Sequence, residues 1–179
     1  MIRIHWQTPC LPFDTLLGKT LWLVDRTTTN DDDTDALIFC TTDDEFYALY
    51  YCPDCPGSSS CTIESITGDF SDLIGRPLRI AEEAVSDEPP AGVHQEYVPE
   101  SQTWTFYKLA TVKGYVDIRW FGESNGYYSE SVTFAKLNPK DIDEEWMQRC
   151  FKHEDCRDNA QLGRACFTQG VHQTKAVSA

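Results

Sequence analysis

The sequence predicts a β-rich α+β domain: antiparallel meanders forming a twisted sheet, sandwich or partial barrel, with one long C-terminal helix. Three observations carry this. Short runs of β-branched and aromatic residues recur between Asp, Asn and Gly clusters, the pattern of strands joined by turns. The stretch "GYVDIRWFGESNGYYSESVTF", residues 114–134, alternates at period two. Only "NPKDIDEEWMQRCFKHED" repeats its apolar residues at helical spacing.

Taken in order, "GKTLWLVDR" gives a first strand, "ALIFCTT" a second and "FYALYY" a third, joined by "TTTNDDDTD" and the turn "DDE". Together they make a meander over residues 19–51. "CPDCPGSSSC" reads as a loop, because its Pro, Gly and Ser leave no regular period. "CTIESITG" fits a short strand. "DFSDLIG" fits a single helical turn, with Asp69 or Ser71 as cap and Gly75 as stop. "RPLRIAEEAV" is expected as a strand, although its Ala and Glu content is also compatible with helix. Residues 86–102, rich in Pro, form a long surface loop or a linker. "TWTFYKLATV" follows as a strand, "KG" as a tight turn, and residues 114–134 complete a second meander over 103–134.

In that last stretch Val116, Ile118 and Trp120 share one strand face, and Tyr115, Asp117, Arg119 and Phe121 share the other. A hairpin pairing 116 with 132, 118 with 130 and 120 with 128 brings the apolar sets together. Its loop is Glu123, Ser124 and Asn125, closed by Gly122 and Gly126, with Asn125 or Gly126 supplying the left-handed residue. Turn chemistry alone accounts for that sequence. Glu130 is then left among apolar neighbours. A buried carboxylate needs a partner, either the Trp120 indole or an Arg from another strand. Otherwise it lies at an open rim, and as a buried acid it is a site candidate.

The helix is expected over about 139–154, with Asn138 as cap and Pro139 in its first position. Ile142, Trp146, Met147, Cys150 and Phe151 fall on one face, which should cover an open face or edge of the sheet. Residues 1–158 are expected to form a single domain and 159–179 a loosely held tail.

The charge is the strongest clue to function. The chain of 179 residues carries a net charge of −14. Residues 1–100 hold 19 acids against five bases, and residues 101–179 hold ten of each. Such a surface repels nucleic acid and suits a basic protein partner, though it also serves solubility. The candidate contact residues are Asp31, Asp32, Asp33, Asp35, Asp43, Asp44 and Glu45 of the acidic turns. Tyr127 and Tyr128 near the last turn are candidate anchors. No apolar run approaches the length of a membrane span. "MIRIHWQTPCLPF" lacks the apolar core of a signal peptide, so the expected compartment is cytoplasmic, in a cell or an infected host.

Eight cysteines are present. Cys52 and Cys55 have the spacing of half a zinc site, with Cys61 six residues on. His153, or a neighbouring helix cysteine, is the candidate fourth ligand. The alternatives are free thiols and an oxidised Cys52–Cys55 pair. "NDDDTD" places Asp31, Asp33 and Asp35 like the start of a calcium loop, but Ala36 and Thr42 stand where that loop needs Gly and Glu. "GKT" at 18–20 lacks the first glycine of a phosphate loop, since Phe13 stands there. The four histidines are scattered, and no nucleophile elbow is present. An enzyme would have to use Cys55 or Glu130.

Several blocks, "LLGKTL", "FYALYY", "IESITGDFSDLIGRPLRIAEE" and above all "TWTFYKLATVKGYVDIRWFGESNGYYSESVTF", resemble an uncharacterised domain-of-unknown-function family of small proteins in bacteria and their phages. The resemblance spans about residues 16–135. It implies a shared fold and no established activity. Where the family usually reads Tyr-His-x-x-Asp-Cys-Cys-Glu, this chain has Tyr51, Cys52, Asp54 and Cys55, followed by Pro56 and Gly57. The phage association implies an accessory role, such as an inhibitor or modulator of a basic host protein, with a virion component as the alternative.

Overall fold

Among the described residues, eight antiparallel strands form two four-stranded sheets. A computed structural model of the chain describes residues 2–3, 8–29, 34–53, 57–95 and 97–151. The first sheet has the order β1 (Leu21–Thr28), β2 (Asp35–Thr41), β3 (Phe46–Tyr50), β8 (Thr133–Leu137). The second has the order β4 (Ser59–Gly68), β7 (Tyr115–Ser124), β6 (Ser101–Ala110), β5 (Ile80–Ser86). Neither sheet closes into a barrel among these residues.

The first meander forms as the sequence predicts, with Ile38 of β2 opposite Asp25 of β1 and Ala48 of β3. The second does not stay together. β6 and β7 pair across the turn at 111–114, but β8 leaves them and joins β3, Phe134 opposite Leu49. The expected pairs 116/132, 118/130 and 120/128 are therefore absent. The physical reason is that both edges of β7 are occupied, by β6 on one side and β4 on the other. A third strand has no free backbone groups to pair with there. The face assignment of β7 holds nonetheless: Val116, Ile118 and Trp120 are all buried.

One core lies between the sheets. Phe13, in a 3-10 turn (Phe13–Leu16), has its ring 4.6 Å from that of Tyr107 on β6. The same ring meets Phe39 of β2 at 6.3 Å and Phe134 of β8 at 5.2 Å. Burial of these aromatic and aliphatic side chains drives the two sheets together. β2 and β3 are buried on both faces, so their runs are continuously apolar rather than alternating.

The other face of the first sheet is covered near the C-terminal end. Trp146 is buried, and its indole N–H donates to Asp25 Oδ2 at 2.8 Å. The helix begins later than expected. Pro139–Asp141 make a separate 3-10 turn, Asn138 makes no side-chain cap bond, and Ile142 bridges Ile2 as extended backbone. The α-helix, α1, runs Glu144–Phe151 within the described residues. Asp143 caps it: its Oδ1 accepts from the N–H groups of Glu145 at 2.7 Å and Trp146 at 3.4 Å. Those two bonds lower the Asp143 pKa. The side chains of Cys150 and Phe151, and the expected helix end at 152–154, lie outside the described part, as does the expected tail.

One smaller expectation also differs. Ser59 and Ser60 belong to β4 rather than to a loop, so that strand starts two residues earlier than the sequence suggests. The single turn at Phe70–Leu73 forms as expected, with Asp69 Oδ1 accepting from the Ser71 N–H at 2.8 Å and Gly75 at φ 73°.

Candidate functional site

The acidic candidates fall into three groups. Asp31, Asp32 and Asp33 lie outside the described residues. Asp35 and Glu45 are consumed by cations. Asp43 and Asp44 are exposed in the turn between β2 and β3, with Asp44 in the left-handed region at φ 61°.

Glu45 is held by two lysines and a tyrosine. Lys136 of β8 donates to Oε1 at 2.6 Å; Lys19 and the Tyr47 hydroxyl donate to Oε2 at 2.5 and 2.9 Å. These donors, Lys136 first, bring the Glu45 pKa down to about 2, and the carboxylate raises both lysines in return. Asp35 works differently. Its Oδ1 receives Arg26 Nη2 at 2.6 Å and Nε at 3.0 Å, while Oδ2 accepts the Ile63 N–H of β4 at 3.1 Å. One carboxylate thus joins β1, β2 and the edge of the second sheet.

Among the described residues the acidic and the balanced halves of the chain are joined by ion pairs. β8, from the balanced half, brings Lys136 to Glu45, and Arg119 of β7 pairs with Glu64 of β4 at 2.6 Å. The acids left without an ion pair among the described residues include Glu82 and Glu83 on β5 and Asp87 and Glu88 just beyond it, all exposed. Sequence reasoning missed this group because it sits in a strand and a Pro-rich loop, away from the Asp runs. Its only sequence signal is the spacing of the pairs "EE" and "DE".

Glu130 is buried, 7% exposed, but it lies in the segment between β7 and β8 rather than in a paired strand, and its partners are neither Trp120 nor an arginine. The Ser124 hydroxyl donates to Oε1 at 2.6 Å and the Thr103 hydroxyl to Oε2 at 2.8 Å. Ser124 Oγ also accepts the Gly126 N–H at 3.0 Å. Both carboxylate oxygens are engaged in holding the loop after β7, a structural arrangement. The Trp104 and Trp120 indole nitrogens are buried with no hydrogen-bond partner among the described residues. Tyr127 is 90% exposed at the tip of that loop, and Tyr128 is half-buried.

Of the expected metal ligands, Cys61 is buried in β4, where burial pushes its thiol up to about 12. Cys52 is half-buried, and Cys55 and His153 lie outside the described residues. Among the described residues no three His, Cys, Asp or Glu side chains come together as a metal group. A half-open groove of about 380 Å³ crosses the outer face of the second sheet. It is lined by Glu82, Phe106, Lys108, Asp117 and Arg119, and includes neither Glu130 nor Cys61. No described helix is long and apolar enough to cross a membrane.

Fold and site together define a two-sheet antiparallel domain whose buried polar groups serve packing. The chain belongs to the family described as a domain of unknown function (DUF7448), whose model matches residues 14–134. That segment holds β1 to β7 and enters β8, while the segment before Asp14 and α1 lie beyond it. No curated protein and no solved structure matches the chain.

Proposed function

We propose that this domain is a non-catalytic interaction module that binds a basic protein partner through its exposed acidic surface. The observation that carries the reading is the division among its acids. Asp35, Glu45 and Glu64 are neutralised by Arg26, Lys19, Lys136 and Arg119, and serve the fold. Glu82, Glu83, Asp87 and Glu88 make no ion pair among the described residues, although Lys108 lies opposite Glu82 and Tyr107 opposite Glu83, and being exposed they carry their field to solvent. The net charge of −14 adds long-range attraction for a cationic partner. An accessory role as inhibitor or modulator of a basic host protein belongs to the same proposal.

The test is ionic strength. The full chain, presented with a cationic protein such as a histone, should associate at about 20 mM salt and release steeply by about 200 mM, as the Debye length shortens. Association that is indifferent to salt removes the reading.

A further inference from the structure

We propose that the free edge of β5 receives an extended basic segment of the partner as an added strand, opposite Glu82, Glu83, Asp87 and Glu88. This rests on the reading above and assigns it a place and a binding mode.

The backbone geometry comes first. The Thr111 N–H donates to the Gly114 carbonyl at 2.9 Å, which marks 111/114 as a mutually bonded pair of the β6–β7 ladder. Such pairs alternate along an antiparallel ladder. The odd-numbered residues of β6 therefore face β7, and the even-numbered ones face β5. Since Tyr107 lies opposite Glu83 and Phe106 opposite Ala84, the β5 residues bonded to β6 are Glu82, Ala84 and Ser86. Glu83 and Val85 turn their N–H and C=O groups away from the sheet. Among the described residues no backbone group pairs with them. The segment around Gly18 and Lys19 bonds Leu78 and goes no further along the strand. The edge beyond Ala81 is exposed, including the Val85 side chain at 63%.

The opposite edge of the same sheet is treated differently. β4 carries an irregularity between Ile63 and Ser65, and the outward Ile63 N–H is taken by Asp35. Bulges and covering groups are how sheets protect an edge. β5 has no bulge or proline, and although the Phe13–Leu16 turn packs against it, no described backbone group bonds the outward groups of Glu83 and Val85.

The side chains select the occupant. Glu82 and Glu83 point to opposite faces of β5, and Asp87 with Glu88 repeat the pair after three residues. An incoming strand would set basic residues beside Glu82 and Glu83 on the two faces, with an apolar residue opposite Val85, and its end would reach Asp87 and Glu88 in the bend that Ser86 closes after β5. A second copy of this chain would set acids against acids, which disfavours self-pairing. The buried Tyr107 hydroxyl lies opposite Glu83 and already interacts with its carboxylate, which keeps that acid at the edge.

The probe is the palindromic peptide acetyl-Lys-Lys-Thr-Val-Thr-Lys-Lys-amide, followed by fluorescence anisotropy with the full chain. Two perturbations separate strand addition from charge. Val85→Pro removes an outward N–H without touching the ladder to β6. N-methylation of alternate peptide amides removes strand donors while keeping every charge. Either should weaken binding about tenfold or more, the effect of losing a hydrogen bond and close backbone approach. Binding should also protect the Glu83 amide from exchange. Equal binding of the methylated and unmethylated peptides overturns the added strand, even if the Val85→Pro chain does not fold. If that equal binding is abolished by Glu82→Gln, Glu83→Gln, Asp87→Asn and Glu88→Gln together, the acidic-partner reading stands without the edge. No binding of either peptide at low salt overturns the added strand, and the histone result then decides the acidic-partner reading separately.

Discussion

Glu130 lies across the bare face of Gly122. A Cβ added at Gly122 would sit 2.5 Å from the Glu130 carbonyl oxygen and 2.9 Å from its Cβ, contacts that require the loop to move. Gly122 is thus not the closing residue of a hairpin loop but the point in β7 where the returning chain crosses it. Gly122→Ala should lower stability by about 1–3 kcal/mol, the usual cost of overpacking. Chemical denaturation of the two chains checks this. An unchanged midpoint would mean the loop does not press on β7.

The carboxylate of Glu130 gives a second prediction. Glu130→Ala leaves the Ser124 and Thr103 hydroxyls without their acceptor and opens a small void. The expected loss is about 1–3 kcal/mol. Glu130→Gln retains an acceptor for one hydroxyl and can donate to the other, so it should cost less than the alanine variant. Thermal melts decide the matter. A large Gln effect with a small Ala effect would point to a role for the charge itself rather than for packing.

These two residues also show what the sequence makes legible. Period two placed Val116, Ile118 and Trp120 on one buried face, which follows from local geometry, whereas Glu130 is buried for another reason, because the chain between β7 and β8 crosses Gly122. What alternation cannot reveal is which strand lies alongside. The pairing of β8 with β3 rather than β7 depends on β4 having taken the last free edge of β7, a contact between residues some sixty positions apart. The site shows the same division. Counting Asp and Glu located an acidic half of the chain, but Asp35 is neutralised by Arg26 across the β1–β2 hairpin and Glu45 by Lys19 and by Lys136, which is distant in sequence. The unpaired acids of β5 stand out only once the ion pairs are drawn.

Glu45 makes the third prediction, in pH. Its folded pKa of about 2 lies below the ordinary 4.5, so the folded state binds the proton less well than the unfolded chain does. The stabilisation is present in full above about pH 4.5 and is lost as pH falls towards about 2. Lys19 and Lys136, raised above 10.5, contribute stability that is present below that value and declines as pH rises past it. Glu45→Gln should therefore be less stable than the parent near neutrality and converge with it in strong acid. Urea midpoints measured from about pH 6 down to about pH 2 test this. A constant difference between the two chains would remove the linkage.

Asp35 separates two contributions that a single carboxylate makes. Arg26 is almost half exposed, so its ion pair with Asp35 is screened and should contribute no more than about 1 kcal/mol. The Ile63 N–H is another matter. It points away from the β4–β7 ladder, lies in a partly buried seam, and has the Asp35 carboxylate as its acceptor. Leaving such a group unpaired costs about 1–3 kcal/mol. Arg26→Ala should thus be mild. Asp35→Asn, which can keep an amide oxygen on the Ile63 N–H, should stay close to it. Asp35→Ala should be clearly worse than either. Hydrogen exchange at the Ile63 amide provides the specific readout: protection should survive in the Arg26→Ala and Asp35→Asn chains and fall in the Asp35→Ala chain. If Arg26→Ala destabilises as much as Asp35→Ala, the ion pair and not the backbone bond joins the first sheet to the edge of the second.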